Sequence, residues 1–163
     1  VWDILLASRE ILPCGLGCRD TLRFEAALPL YGHEISDEIT ALEAGLGFFV
    51  KLDKSDFIGK SVLVEQKAGS LKRKVVGIEL TEKAIPRAHY EVYSGETKIG
   101  YVTTGYLSIS AGKPVAMALL DLAYTALNTP IQVQIRTKKI PGFVRDKKFF
   151  KKSYKPKGDK ANE

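Results

Sequence analysis

The pattern of apolar and polar positions changes character near residue 70. Before that point the chain mixes segments of helical and of strand-like spacing, whereas beyond it most apolar runs are short and β-rich, which is typical of strands. Strands are predicted over residues 75–80, 91–93, 98–104, 114–122, 131–136 and 140–145. Turn-forming residues, such as Ser94-Gly95-Glu96 and Ala111-Gly112-Lys113, separate several of these runs. About six strands in roughly 75 residues indicate a sandwich or a barrel.

The first 70 residues are predicted to contain two helices and two strands. Apolar residues recur at helical spacing over residues 2–9, and Pro13 stops that helix. Residues 21–26 alternate apolar and charged side chains, which predicts a strand with one buried face. A nearly continuous apolar run predicts a buried strand over residues 46–52, and residues 59–67 are predicted to form a connecting helix.

The composition predicts one buried core and no metal site. At 163 residues with 45% hydrophobic residues, the chain can bury one core, or one small domain plus a fragment of another. No apolar run approaches the ~20 residues that a membrane span needs. No secretory signal is visible. Cys14 and Cys18 are the two cysteines, and we interpret them as reduced, partly buried thiols. Structural zinc usually needs a second such cluster.

The positive charge of the chain is concentrated at its C-terminal end. Residues 136–163 hold 11 Lys or Arg and 3 Asp or Glu, whereas the first 135 residues carry a net charge of −2. Lysines surround Phe149, Phe150 and Tyr154, and basic residues interleaved with aromatic ones can bind nucleic-acid backbones and bases. A solvated terminus whose lysines confer solubility is the alternative interpretation.

An ordered series of motifs runs through nearly the whole chain. It begins with the Gly-Leu-Gly-Cys-Arg-Asp segment and its continuation over residues 15–47, and goes on through residues 56–60, 85–87, 98–105 and the Phe pair at 149–150. No single short motif is decisive, but the series as a whole resembles the glycine cleavage system T-protein family of tetrahydrofolate-dependent aminomethyltransferases.

The resemblance implies a reaction, a substrate and a partner. T-proteins transfer a one-carbon unit from the aminomethyl-lipoyl arm of H-protein to tetrahydrofolate, with release of ammonia. The implied partners are therefore lipoylated H-protein and tetrahydrofolate, with no nucleic acid and no membrane, in the bacterial cytoplasm or in the mitochondrial matrix of a eukaryote. Because H-protein is typically acidic, the basic tail could also steer its approach.

The resemblance also sets expectations for fold and extent. The expected class is α+β, mainly β, with a C-terminal antiparallel β-barrel preceded by a fragment of an α+β folate-binding domain. The predicted division is 1–52 for that fragment, 53–70 for the connecting helix, 71–147 for the barrel and 148–163 for the basic tail. T-proteins are roughly twice as long, and their N-terminal catalytic Asp and folate-contacting Glu have no counterpart here. The chain is therefore expected to be the C-terminal portion of a larger enzyme, with no catalytic residue of its own and no activity alone.

Arg19 is the first candidate ligand-binding residue. Small residues before it let the backbone approach a ligand, and a guanidinium presents paired donors to a planar acceptor. From the residues alone, an ion pair with Asp20 or Glu25 is the alternative. In T-proteins the Arg at this place in the Gly-x-Gly-x-Arg-Asp motif contacts folate, and that resemblance favours folate contact by Arg19. It also places Tyr154 near the position of a terminal Tyr that lies close to the folate.

Three neighbouring positions receive structural interpretations. Asp20 is predicted to cap the turn after the glycines, and Arg23 and Glu25 are predicted to lie on the outer face of the strand over residues 21–26. Ala27 stands where many T-proteins have Gly, and its methyl group matters only if the backbone needs a positive φ there.

The Tyr31-Gly32-His33-Glu34 segment is predicted to pack and turn the chain rather than to catalyse. Adjacent residues of an extended chain point apart, which argues against His33 and Glu34 as an acid–base pair. Arg87, which follows Pro86, is open to either a structural or a binding role.

Two other functional classes remain as alternatives. One is a folate-binding, non-transferase relative involved in iron–sulfur protein maturation, a group that carries a Lys-Gly-Cys-Tyr-type motif absent from this sequence. The other is a nucleic-acid-binding β-barrel, which would need aromatic side chains on a strand face and not only in the tail.

Overall fold

The structure is a computed structural model that describes residues 1–8 and 10–150. Three short helices are followed by six strands: α1 (Trp2–Leu6), α2 (Leu16–Glu25), α3 (Lys60–Glu65), β1 (Arg73–Leu80), β2 (Glu91–Ser94), β3 (Thr97–Leu107), β4 (Pro114–Asp121), β5 (Pro130–Ile135) and β6 (Lys138–Arg145). None of the helices in this part of the chain has the length and apolar character to cross a bilayer. Tyr154 and most of the predicted basic tail lie outside the described residues.

The six strands form a closed antiparallel barrel in the order β1-β4-β3-β2-β5-β6. Closure comes from the pairing of β6 with β1, in which Ile78 faces Val144. Every strand therefore has two hydrogen-bonded neighbours, and no sheet edge is left unpaired. The predicted α+β, mainly β class with a C-terminal barrel is confirmed, and the six strand predictions are correct within one to three residues at each end. The predicted division of the chain into domains stays a prediction.

Side chains that alternate along the strands fill the interior of the barrel. On β4, Ala116, Ala118 and Leu120 point inward and join the barrel core. The intervening Val115, Met117 and Leu119 are equally buried, but they belong to a second cluster on the outside of the barrel. Because both faces of β4 are covered, this strand has a continuous apolar run instead of the alternation of a half-exposed strand.

The second cluster is where the N-terminal part of the chain packs on the barrel. Phe24 from α2 and Ile39 lie against the outer face of β1 and β4, and Phe149 completes the cluster. The Phe24 ring stacks on Phe149 with 4.8 Å between centroids and meets the edge of Tyr106 at 5.3 Å. Such aromatic pairs stabilise beyond the area they bury, so α2 is fixed to the barrel.

The strand predicted over residues 21–26 is wrong, because this segment is the C-terminal half of α2. Leu22, predicted to face the core, is 66% exposed, and the charged Arg23 and Glu25, predicted to face outward, are buried. The alternation pattern gave a wrong prediction because it assumes that charged side chains are exposed. Here the buried charges are satisfied by hydrogen bonds, which a hydrophobic pattern does not reveal.

The buried strand predicted over residues 46–52 is also wrong. A short 3₁₀ turn occupies Gly47–Phe49, and Phe48 and Phe49 are exposed by 82% and 75%. Backbone hydrogen bonds from Phe49 to Leu46 and from Val50 to Gly47 close local turns, so these donors do not take part in a sheet ladder. The connecting helix is confirmed over α3, and a π-helical turn follows it.

The C-terminus of α2 requires a positive φ at Ala27. The Leu28 amide donates to the Arg23 carbonyl and the Ala27 amide to the Phe24 carbonyl, which is the pair of bonds of a Schellman motif. In that motif the residue after the cap adopts the left-handed conformation, and Ala27 has φ of 59°. Gly adopts this conformation without the steric cost that Ala bears.

Replacing Ala27 with Gly is therefore expected to stabilise the protein by about 1 kcal/mol. For a chain of this size that corresponds to a rise in melting temperature of roughly 2–4 °C, measurable by calorimetry. Ala26→Gly is the matched control, because Ala26 has φ of −82° and gains nothing from glycine. A lower melting temperature for Ala27→Gly than for the unmodified protein would contradict the strain argument.

Candidate functional site

The candidate site is an open groove of about 580 Å³ along α2. Its lining combines apolar side chains, both cysteines and two arginines: Cys14, Gly15, Leu16, Cys18, Arg19, Leu22, Arg23 and Leu28. The two cysteines are free and exposed, so the prediction that they are partly buried is wrong. Cys14 precedes α2 and Cys18 lies in its first turn, within a stretch over residues 11–19 whose side chains are all exposed.

Arg19 lies in α2 with its side chain exposed to this groove. Gly15 forms the N-cap of the helix in an extended conformation and supplies no capping side chain, so the approach to Arg19 is open. Within residues 1–8 and 10–150, no ion pair joins Arg19 to a carboxylate. The two proposed partners have others: Asp20 bonds to Arg23, and Glu25 bonds to Ser108 and Ser110. The predicted alternative of a structural ion pair for Arg19 thus finds no support in the described part of the chain.

Arg23, one helical turn after Arg19, connects α2 to the barrel. Its guanidinium donates to the carboxylates of Asp20 at 2.5 Å and of Glu34 at 2.6 Å. It also donates to the Thr104 hydroxyl on β3 at 3.1 Å and to the Leu28 carbonyl at 3.2 Å. The side chain is only 8% exposed. A buried guanidinium is tolerated because its donors are paired in this way.

Glu34 is the counterpart of Arg23, with 1% of its surface exposed. Besides the Arg23 guanidinium, its carboxylate accepts hydrogen bonds from the hydroxyls of Thr103 and Thr104, each at 2.7 Å. The Leu30 amide adds a fourth hydrogen bond at 3.1 Å. A carboxylate with four donors is held in one orientation, so Glu34 ties the turn at residues 30–35 to both α2 and β3.

His33 joins the same cluster through its Nδ1 atom. This atom lies 3.1 Å from the Thr103 carbonyl and 3.3 Å from the Thr104 hydroxyl. A carbonyl only accepts, and the Thr104 hydroxyl already donates to Glu34, so Nδ1 carries a hydrogen. The predicted packing and turning role of this segment agrees with these contacts, although His33 and Glu34 do not point apart: both reach Thr104.

Asp20 connects the cluster to Tyr106 on β3. The Tyr106 hydroxyl donates to one carboxylate oxygen of Asp20, and Arg23 donates to the other. Burial opposes ionisation of Asp20, but the hydrogen bonds from Tyr106 and Arg23 outweigh it and hold its pKa below the ordinary value. Burial and the bond to Asp20 together raise the pKa of Tyr106. The predicted capping role of Asp20 is wrong, because the residue lies within the helix and uses its oxygens for these side chains.

Glu25 forms the second connection between α2 and the barrel. It accepts hydrogen bonds from the hydroxyls of Ser108 and Ser110, at 2.6 and 2.5 Å, and from the Ser110 amide at 3.0 Å. Burial opposes ionisation of Glu25, but these hydrogen bonds together hold its pKa below the ordinary value. Its carboxylate thus fixes the loop between β3 and β4 to the end of α2.

These shifts predict that the protein loses stability in acid. Because the folded state keeps Glu25 and Asp20 ionised where the unfolded chain has begun to bind protons, the free energy of unfolding should fall as the pH drops from about 5 to about 3. A Ser108→Ala, Ser110→Ala double variant should show a shallower fall, since it removes hydroxyls that lower the pKa of Glu25. Urea unfolding across this pH range measures the slope. Ser61→Ala, on the exposed surface of α3, should keep the wild-type slope, and a double variant with that same slope would contradict the assignment.

The sequence predicted a binding role for Arg19 but did not predict the contacts of Arg23. Arg19 was predicted as a binding residue and lines the groove, and Tyr154 lies outside the described residues. Arg23, Glu34 and Thr104 were not predicted to interact. Asp20 and Arg23 are three positions apart, a spacing that indicates a helix. Thr104, the partner of Arg23 on β3, is 81 positions away.

The arrangement suits a planar ligand with hydrogen-bond acceptors. Leu16, Leu22 and Leu28 supply apolar walls, and the Arg19 guanidinium offers paired donors. Binding sites for small molecules commonly combine mostly apolar walls with a few placed polar groups. The folate that the family resemblance implies fits this donor set, since a pterin is flat and rich in acceptors.

Two protein-family models match this chain. The family model described as "Glycine cleavage T-protein C-terminal barrel domain" matches residues 73–151, and the model described as "GCVT N-terminal domain" matches residues 1–54. Together the two matches cover most of the chain.

Individual relatives match over nearly the full chain. A protein named aminomethyltransferase from Alkaliphilus oremlandii is 55% identical over 95% of this chain and 43% of its own length. Another from Caldanaerobacter subterraneus subsp. tengcongensis is 52% identical over 95% of this chain and 42% of its own length. This chain thus spans about two fifths of the curated relatives it matches.

A solved structure adds the comparison in three dimensions. The crystal structure of the glycine cleavage system aminomethyltransferase T from Bartonella henselae superimposes with a TM-score of 0.78 at 31% identity. It covers 83% of this chain and 39% of the Bartonella chain. Two successive domain models, high sequence identity and a shared fold agree, and the chain belongs to the glycine cleavage T-protein family.

Proposed function

We propose that this chain forms the C-terminal portion of a tetrahydrofolate-dependent aminomethyltransferase of the glycine cleavage system. The reaction transfers a one-carbon unit from the aminomethyl-lipoyl arm of H-protein to tetrahydrofolate, with release of ammonia. The observation that carries the proposal is the Arg19 side chain, which is exposed in the groove along α2. The family resemblance implies that the Arg of this Gly-x-Gly-x-Arg-Asp motif contacts folate.

In this proposal Arg19 binds and orients the folate, while tetrahydrofolate supplies the nitrogen that accepts the one-carbon unit. Arg19 can act only if α2 keeps its position, because proximity and orientation contribute much of such a rate. The Arg23 and Glu34 ion pair and the Glu25 contacts with Ser108 and Ser110 fix α2 against β3 and the following loop. The barrel thus serves as the rigid support of the folate-facing helix.

The remaining parts of the proposal follow the predicted organisation. Residues 1–52 would belong to the folate-binding domain, 53–70 to the connection, 71–147 to the barrel and 148–163 to a basic tail, with Tyr154 as a second folate contact. Lipoylated H-protein would be the partner, and the bacterial names of the relatives favour a cytoplasmic enzyme. The iron–sulfur maturation and nucleic-acid alternatives gain no support from the relatives, which are named aminomethyltransferases.

A hybrid enzyme tests this function directly. In the hybrid, the matching segment of the Alkaliphilus oremlandii relative is replaced by this chain, which the 55% identity makes feasible. We expect the hybrid to form methylenetetrahydrofolate from aminomethylated H-protein and tetrahydrofolate, and the 163-residue chain alone to form none, because the catalytic carboxylate is expected elsewhere.

The matched control is the same relative without the replacement, assayed in the same preparation. A folded hybrid without turnover would contradict the proposed function, provided the control is active. Turnover by the chain alone, free of contaminating enzyme, would contradict the expectation that no catalytic residue lies in this chain.

A further inference from the structure

A second groove lies at one end of the barrel. It has a volume of about 520 Å³ and is formed by the loop between β1 and β2, over residues 84–90, and by the turn between β5 and β6, over residues 135–138. It shares no lining residue with the groove along α2. We refer to it as the basic groove.

Three cationic side chains line the basic groove: Arg87, Arg136 and Lys138. All three are exposed, and no Asp or Glu is among the lining residues. In the part of the chain that the structure describes, none of the three forms an ion pair. Like charges around one concave surface repel each other, and a bound anion would relieve that repulsion.

The floor of the basic groove is apolar. Ala84, Tyr90 and Ile135 are half-buried and pack against the barrel core, of which Ile140 is a member. The three cations thus line the same groove as an apolar surface that includes Tyr90. This combination of an apolar floor with a few charged groups at the rim is common in sites for small organic anions.

The backbone of both segments adds an independent observation. His89 in the first loop has φ of 68° and Arg136 in the second turn has φ of 55°, a conformation that non-glycine residues seldom adopt. A two-residue turn that only reverses the chain is best served by Gly or Asn. Because strained residues cluster at binding sites, an arginine at such a position supports a binding role for its side chain.

We propose that the basic groove binds a small molecule that carries at least two oxyanion groups, phosphate or carboxylate, joined to a flat or apolar body. The guanidinium groups of Arg87 and Arg136 can each bind an oxyanion through two parallel hydrogen bonds. Lys138 adds a third charge, and the body of the ligand lies on Tyr90 and Ile135. The volume is within the range of roughly 300–1,000 Å³ that is usual for small-molecule sites.

Titration of the full 163-residue chain with three probes tests the proposal. The probes are naphthalene-2,6-dicarboxylate, inorganic pyrophosphate and, as the uncharged counterpart, 2,6-bis(hydroxymethyl)naphthalene, followed by amide chemical shifts. We expect at least one anion to bind with a dissociation constant on the order of 0.1 mM, with shifts confined to residues 84–90 and 135–140, and the uncharged probe not to bind. Tighter binding of the dicarboxylate would favour a carboxylate ligand, and tighter binding of pyrophosphate a phosphate ligand.

Charge-removing variants give the second readout. Arg136→Gln combined with Lys138→Gln should weaken anion binding at least tenfold. Lys67→Gln, which alters an exposed cation that lines neither groove, should leave it unchanged. If the double variant fails to fold, Arg87→Gln alone should weaken binding at least threefold. Unchanged affinity in a folded variant, shifts centred on residues 14–22, or tighter binding of hexaglutamate than of either small anion would each overturn the proposal.

Discussion

Replacing Arg23 with Met is expected to lower the free energy of unfolding by about 3–5 kcal/mol. The substitution keeps most of the apolar volume of the side chain but leaves the Glu34 carboxylate, which is 1% exposed, without its cationic partner. Breaking a buried ion pair by removing one partner costs that much because an uncompensated charge stays buried. Urea unfolding measures the loss, which is a large part of the 5–15 kcal/mol typical of a domain.

Two further variants separate charge pairing from packing. Arg145→Met removes a guanidinium that pairs with Glu79, but Arg145 is 26% exposed and Lys113 also pairs with Glu79, so a loss of only about 1 kcal/mol is expected. Adding Glu34→Gln to Arg23→Met should restore part of the stability, because the buried charge is then gone. Equal losses for Arg23→Met and Arg145→Met, with no restoration by Glu34→Gln, would contradict the importance of the buried pair.

The barrel could be predicted from the sequence because its strands carry their own signals. On β1, the inward Val76, Ile78 and Leu80 recur at every second position, and β4 is apolar on both faces because one face meets the interior and the other meets α2. Glycine-containing turns separate β2 from β3 and β3 from β4. These signals are local, and the closed antiparallel barrel follows from them once six strands have to pair.

The contacts that hold α2 against the barrel could not be predicted from such local signals. Arg23 and Glu25 are buried charges that depend on tertiary partners. Arg23 pairs with Glu34, eleven positions away, and both side chains also bond to β3 or the loop after it, more than 80 positions along the chain. A pattern based on hydrophobicity places such residues outside. Phe48 and Phe49 show the reverse error, since their apolar side chains are exposed. The first error arises where tertiary contacts override the local pattern, whereas Phe48 and Phe49 lie in a local 3₁₀ turn that an apolar run does not reveal.

Arg19→Ala in the hybrid enzyme is expected to weaken tetrahydrofolate binding tenfold to a hundredfold. A charged group that fixes a ligand through hydrogen bonds contributes about 1.5–3 kcal/mol, and each 1.4 kcal/mol is a factor of ten. Arg19→Lys should recover only part of the affinity, because an ammonium is a point charge without the planar pair of donors. Calorimetric titration with tetrahydrofolate measures all three proteins.

The affinity for H-protein provides the internal control of that experiment. It should change little in Arg19→Ala if the residue faces the folate, and the stability of the variant should match that of the parent, since no ion pair within the described residues depends on Arg19. Lys67→Ala, which alters an exposed cation that lines neither groove, should leave tetrahydrofolate binding unchanged. Unchanged tetrahydrofolate affinity in a folded Arg19→Ala protein would remove Arg19 from the binding site, because an exposed guanidinium that neither pairs with a carboxylate nor contacts ligand contributes little to either stability or binding.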